Sequence, residues 1–116
     1  MTIIEQLVEF ISDSDKKKFG NSKWISDDVM QVYVRKGYHL IFGKTHTCLD
    51  LANVTVIESK QGQGLWRNFL AEAHSLNPWE ATYVECVHNQ ILAQSLLRNG
   101  WTPNLYESYF MLKETE

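Results

Sequence analysis

The stretch that most constrains this chain runs from His46 to Leu76. It begins as a long apolar run from His46 to Ile57 and passes through Glu58, Ser59, Lys60, Gln61, Gly62, Gln63 and Gly64. It continues as an amphipathic helix with Leu65, Phe69, Ala73 and Leu76 in one stripe, widened by Trp66 and Leu70. The alternation of the first run has a defect. Leu49 and Leu51 share one face, whereas Val54 and Val56 fall on the opposite face of a regular strand, so the apolar parity switches near Ala52 and Asn53. One extra residue in a bulge produces this switch. A bulge splays a strand from its neighbour and frees backbone groups for a ligand.

A strand, a glycine-bearing loop and a helix start form an anion-binding arrangement. The first amides of a helix have no internal partner, and the helix dipole is positive at that end. Gly62 and Gly64 let the backbone approach a phosphate with no Cβ in the way. Two nucleotide fingerprints fail here. A P-loop needs GK[ST], and Gly64 is followed by Leu65 and Trp66. A dinucleotide-binding GxGxxG needs a third glycine where Arg67 stands, and an early βαβ unit where three antiparallel-looking strands come first.

The remaining segments set the context. Ile3, Ile4, Leu7, Val8 and Ile11 predict a first helix, with Thr2 and Glu5 as its capping box. Ser12 to Asp28 is polar, broken at Gly20, Asn21 and Ser22, with Trp24 and Ile25 as anchors to the core. Val29 to Val34 and Tyr38 to Phe42 read as a hairpin turning at Arg35, Lys36 and Gly37, and Gly43 to Thr45 turns the chain again. Asn77 and Pro78 end the helix after the loop, and Ala81 to Val87 is the next strand. His88 and Asn89 open another helix, with Leu92, Leu96 and Leu97 apolar and Asn99 and Gly100 closing it. Trp101 to Asn104 reads as a loop and Tyr106 to Leu112 as the last strand. This order predicts an α+β domain, a mixed and largely antiparallel sheet with helices on both faces.

A chain of 116 residues suits one domain, 1–116, with a real core. Its net charge of -3 argues against a nucleic-acid scaffold, and the basic run Lys16 to Lys18 beside Asp13 and Asp15 reads as a solvated helix end. Cys48 and Cys86 lie in apolar segments without CxxC spacing, which predicts neither a zinc knuckle nor a disulfide framework and fits a reducing, cytoplasmic setting. The N-terminus lacks the features of a signal peptide, and no stretch is long and apolar enough to span a bilayer.

The loop and its surroundings resemble the GNAT acetyltransferase superfamily, whose coenzyme A loop reads Q/R-x-x-G-x-G/A after its fourth strand. Gln61 and Gly64 match that pattern, and Trp66 stands where a small residue is expected. Asn89 sits where an asparagine often opens the family's next helix. Arg98, Asn99, Gly100 and Trp101 stand for its K-x-G-F ending, and Tyr109 to Leu112 resemble its last strand. The resemblance spans Val29 to the end; the family's usual first strand is not evident. Short proteins of this kind also resemble ones encoded by bacteriophages.

The resemblance implies acetyl-CoA as co-substrate. Backbone groups of Val54, Thr55 and Val56 would pair with the pantetheine arm. The loop Gln61, Gly62, Gln63, Gly64, Leu65 and Trp66 would hold the pyrophosphate, with Asn89 also on the cofactor side. It implies direct attack of an amine, on a small molecule or a protein, upon the thioester, with a base accepting the proton and an acid protonating the thiolate. A homodimer is one assembly compatible with it; nucleic acid and membrane are not expected partners.

Asp50, in the strand before the loop, is the candidate catalytic base, acting best through water or after partial burial; otherwise it is a strand carboxylate facing solvent or a lysine. His46, Cys48 and Asp50 alternate onto one face, and a metal would need at least one more ligand, so none is assigned. Cys48 is a poor candidate for an acyl nucleophile, and Cys86 reads as a small buried hydrophobe. The family's proton-donating tyrosine corresponds to Leu96, which leaves Tyr83, Tyr106, Tyr109, His88 or water for that role. Trp66 either packs under the loop or covers the cofactor pocket. Two readings compete with the enzyme: a catalytically degenerate GNAT-like protein that binds a protein partner, and an α/β domain whose loop is only structural.

Overall fold

The computed structural model describes residues 1–17, 21–85, 87 and 90–113. The chain orders α1 (Ile3–Asp15), β1 (Ser22–Ser26), β2 (Met30–Ile41), β3 (Lys44–Val56), α2 (Leu65–Leu76), β4 (Ala81–Val84), α3 (Gln90–Arg98), β5 (Thr102–Asn104) and β6 (Ser108–Leu112), with a short 3-10 turn at Glu58–Lys60. The capping box of α1 forms as its sequence predicts: Thr2 Oγ1 accepts from Glu5 N and Glu5 Oε1 from Thr2 N. Leu7, Phe10 and Ile11 turn inward from this helix.

The six strands form one mixed sheet in the order β1-β2-β3-β4-β6-β5. Only β3 and β4 run parallel; the other four neighbouring pairs are antiparallel. The largely antiparallel α+β sheet is therefore the expected one.

Three local expectations change. First, β1 is a strand within the stretch read as a polar connection. Only Ile25 is buried among its five residues, so the run carries no periodic signal; pairing with β2 makes it a strand. Gln6 of α1 fixes it in place, donating from Nε2 to Ser26 O (2.7 Å) and accepting from Ser26 N (3.0 Å). Second, Arg35, Lys36 and Gly37 do not turn the chain. β2 runs straight through them, and the turn lies at Phe42 and Gly43, both at positive φ (52° and 77°), as a tight two-residue hairpin requires. Third, β5 occupies part of the run read as a loop, and pairs with β6 across the turn at Leu105, Tyr106 and Glu107.

The parity switch in β3 is a bulge. Tyr33 pairs with Asn53 and Val34 with Leu51, so Ala52 has no partner on β2. Its effect is to bring Leu49, Leu51, Val54 and Val56 onto one face, opposite Val34, Val32 and Met30 of β2.

The helices all cover this face rather than both faces. Apolar residues of α1 (Leu7, Phe10), α2 (Phe69, Leu70, Ala73) and α3 (Leu96) share one core with Val32, Val34, Leu49 and Leu51. The reason lies on the opposite face. There, a small apolar cluster of Ile41, Cys48, Ala81, Tyr83 and Phe110 borders a network of charged side chains, which offers a helix no continuous apolar seat. No helix among the described residues is long and apolar enough to cross a membrane.

Candidate functional site

The parallel pairing of β3 with β4 is short. It joins Cys48–Leu51 to Ala81–Val84 and ends with Glu85 N donating to Leu51 O (3.2 Å). The next residue of β3 is the bulged Ala52. Beyond it, Asn53 to Val56 stay paired with Tyr33 to Met30 of β2, while their other edge has no strand partner among the described residues. Val54, Thr55 and Val56 therefore extend past the end of β4, with one edge of the strand unpaired among the described residues.

The loop that follows is tied back to the strand by Gln61 Nε2, which donates to Val56 O (2.9 Å). Gly62 and Gly64 both adopt left-handed backbone (φ 81° and 77°). Gly64 is the N-cap of α2; its carbonyl accepts from Asn68 N (2.9 Å), and no side chain caps the helix. The leading amides of α2 thus have no side-chain acceptor, which is the condition for anion binding. Gln63 is exposed and Leu65 half-buried.

Arg67 adds a feature that the sequence reading passed over. Its Nη2 lies 3.2 Å from where a Cβ on Gly64 would sit, so a guanidinium stands beside the helix start. No acidic residue occupies the first turn. A cation there opposes the helix dipole, and an anionic ligand reverses that penalty.

Trp66 packs into the core, 5.9 Å from Phe69 between ring centroids, and does not roof the loop. Its Nε1 is buried without a hydrogen-bond partner among the described residues. Leu96, at the position where the resemblance expects a proton donor, is likewise buried. It lines a cavity of about 290 Å³ between α2 and α3 with Arg67, Leu70, His74, Leu92 and Trp101. Burial and the nearby Lys113 ammonium both hold His74 below the ordinary histidine range, and its Nδ1 lies 2.8 Å from Thr82 Oγ1. Asn89, His88 and Cys86 lie outside the described residues.

The second feature occupies the opposite face. Arg35, Gly37 and His39 alternate on β2 and point the same way, which is visible only once β2 is one strand. Asp50, fully buried, lies between them. Its Oδ2 accepts from Arg35 Nε (2.9 Å) and its Oδ1 from His39 Nε2 (2.9 Å). Arg35 Nη2 also donates to Glu85 Oε1, and His39 Nε2 lies 3.5 Å from the same oxygen. Burial works against the charge of Arg35, but the carboxylates of Asp50 and Glu85 outweigh it and raise its pKa.

Asp50 is thus neither solvent-facing nor paired with a lysine. It is a buried carboxylate with both oxygens engaged. His46 and Cys48 do not join it: His46 Nδ1 bonds Lys44 O, and Cys48 Sγ donates to His46 O. Burial, with the Asp50 charge behind it, pushes the Cys48 thiol up to about 12, which removes it as a nucleophile near neutral pH. Ligand atoms of His39, Asp50 and Glu85 lie within 4.8 Å of one another, and Arg35 bonds one oxygen of each carboxylate, Asp50 Oδ2 and Glu85 Oε1.

His39 is the residue that sequence reading missed. Its ring stacks on Tyr83 at 3.7 Å with an interplanar angle of 5°. Tyr83 in turn accepts a hydrogen bond at its hydroxyl from Asn104 Nδ2 (3.1 Å), and burial raises its pKa. His39, Tyr83 and Glu85 line a cleft of about 370 Å³ with Asn104, Leu105 and Ser108. Of the tyrosines considered for proton transfer, Tyr83 lines this cleft and contacts the charged network; Tyr106 is almost fully exposed at the cleft rim, and Tyr109 packs against the core.

No protein-family model matches the sequence, and no curated protein matches it. Solved structures do. A mutant of the toxin AtaT, bound to the C-terminus of the antitoxin AtaR and acetyl-CoA, superposes with a TM-score of 0.59 at 16% identity. That match covers 72% of this chain and 58% of the other, so the chain spans little more than half the length of that structure. AtaT complexed with acetyl-methionyl-tRNAfMet gives 0.61 at 13% identity, covering 91% and 78%. A GNAT-family acetyltransferase from Listeria monocytogenes gives 0.55 at 17% identity, covering 75% and 58%. The exclusion of nucleic acid drawn from net charge finds no support here, since one of these similar structures holds a tRNA. With its bulged β3 running on past the end of β4 to a glycine loop and helix, the chain has the GNAT acetyltransferase fold.

Proposed function

We propose that this chain is an N-acetyltransferase that moves an acetyl group from acetyl-CoA to an amine by direct attack. One observation carries the reading. The bulge at Ala52 ends the β3–β4 pairing, and the strand it frees leads through left-handed glycines to an uncapped helix N-terminus. In this reading the edge of Val54, Thr55 and Val56 receives the pantetheine arm, and the segment from Gln61 to Trp66, with Arg67 beside it, receives the pyrophosphate. Trp66 contributes its backbone amide, because its side chain is in the core. Asn89 belongs to the same cofactor proposal.

Asp50 serves the reaction from beneath the surface. Its carboxylate is buried, so it acts through the groups bonded to it. The amine belongs to a small molecule or a protein, and the tRNA complex of AtaT keeps an aminoacyl group on RNA within the range to be tested. A reducing, cytoplasmic setting belongs to the same reading.

Calorimetric titration with acetyl-CoA tests it. Saturable binding with one site per chain, followed by thioester loss with an amine, is the expected result; no heat at about 1 mM ligand defeats the proposal. A degenerate, partner-binding relative is the second reading, favoured by buried Leu96 at the expected donor position. Binding without thioester loss across an amine panel selects it.

A further inference from the structure

We infer that the cleft on the helix-free face is the acceptor site, that His39 takes the amine proton there, and that Asp50 orients His39 from behind while Glu85 docks the ammonium. This rests on the acetyltransferase reading and names its substrate class: a primary amine carrying an apolar or aromatic shoulder.

The geometry separates the two carboxylates by role. Asp50 has 1% side-chain exposure and both oxygens bonded, so it cannot meet a substrate. His39 Nε2 faces the Asp50 carboxylate, which only accepts, so the neutral ring that makes this bond carries its proton on Nε2 and its lone pair on Nδ1. Nδ1 makes no hydrogen bond among the described residues. Stacking on Tyr83 holds the ring plane. The groups facing His39 are Asp50, Glu85 and Tyr83, with Arg35 bonded to both carboxylates.

Glu85 is placed differently. It directly follows Val84, the last residue of β4 paired with β3, and its amide bonds Leu51 O. Its side chain is 21% exposed and lines the cleft. It therefore stands where β4 ends beside the continuing β3, next to where the thioester lies if the pantetheine arm follows the unpaired edge of β3. Leu40, Leu105 and Tyr106, all strongly exposed, give the rim an apolar character that suits the substituent of the amine.

The proton balance follows. The ammonium held at Glu85 gives one proton to His39 Nδ1 and becomes nucleophilic. Its lone pair forms the C–N bond to the thioester carbonyl carbon. The C–S bond breaks with its electron pair on the coenzyme sulfur, which takes the second nitrogen proton through water. The products are the acetamide, free coenzyme thiol and a protonated histidine that returns its proton to solvent.

Phenethylamine and leucinamide are the probes. Nitrogen NMR of the imidazole rings in the full chain, without coenzyme, should show the His39 signals move on titration with phenethylamine and stay still with Glu85→Gln. Asp50→Asn should alter the His39 tautomer signature. With acetyl-CoA present, His39→Gln should lower kcat at least about 100-fold and leave acetyl-CoA affinity within twofold. Should the chain bind no acetyl-CoA, the function proposed above fails, while the NMR titration still decides the cleft. His39 signals indifferent to saturating amine, or His39→Gln turning over within threefold of wild type, overturn this inference.

Discussion

A Cβ placed on Gly37 would lie 2.1 Å from Asp50 Oδ2 and 2.8 Å from its Cγ. The carboxylate of Asp50 therefore occupies the space that any side chain at position 37 would need. That vacancy lets it reach both Arg35 and His39, which flank Gly37 on the same face of β2. Glycine in a strand interior weakens the strand and marks a close approach, and here the approach is by a buried charge.

Gly37→Ala should consequently destabilise the protein by about 2–3 kcal/mol, beyond the small intrinsic effect of alanine in a strand. Asp50 would have to leave its seat, stranding Arg35 and His39. Urea denaturation of the variant against wild type measures this; a change under about 0.5 kcal/mol would show that the network yields without cost.

Asp50→Asn tests the carboxylate more gently, since shape is kept and charge is lost. Turnover should drop by roughly 100-fold or more, because the asparagine cannot hold His39 in the same tautomer, while acetyl-CoA affinity stays within about twofold. Steady-state kinetics beside calorimetry separates the two. Unimpaired turnover removes Asp50 from the mechanism.

At the loop, Gly64→Trp places a large side chain where φ is +77° and where Arg67 Nη2 already stands 3.2 Å from the would-be Cβ. Acetyl-CoA affinity should weaken at least about 100-fold as the anion site fills. A circular dichroism spectrum confirms that the variant is folded. Unchanged affinity in a folded variant would mean that the pyrophosphate binds elsewhere.

His74 gives stability a dependence on acid. Burial and Lys113 lower its pKa in the folded chain from the ordinary histidine value of 6.5. A depressed pKa means that the unfolded chain binds the proton more readily. The stabilisation is present above pH 6.5 and is lost as pH falls through the folded value. The difference in urea midpoint between wild type and His74→Gln should shrink on going from neutral to mildly acidic buffer. A difference independent of pH would falsify the assignment.

Cys48 acts at the other end of the scale. Its thiol is raised from 9.0 to about 12, so the unfolded chain loses the proton first. Its contribution is intact below pH 9.0 and declines as pH rises toward about 12. Wild type should lose stability over that window faster than Cys48→Ala, and parallel curves would contradict the burial argument.

The sequence by itself determined the features that repeat locally. The capping box of Thr2 and Glu5 and the parity break at Ala52 depend on residues close in the chain and form as read; the stripe of α2 forms at Trp66, Phe69, Leu70 and Ala73, while Leu65 is half-buried and Leu76 exposed at its ends. The bulge is legible because a period of two leaves no slack: one extra residue must flip every later side chain. Tertiary structure decided what depends on distant partners. Ser22–Ser26 is a strand because β2 lies beside it, and Gly37 is not a turn because Asp50, thirteen positions on, fills its place. His39 entered the site for the same reason: its partners Asp50, Tyr83 and Glu85 come from two other strands and a strand end, and only the folded sheet brings them within hydrogen-bonding and stacking distance. The helices gather on one face because the other face already belongs to that network.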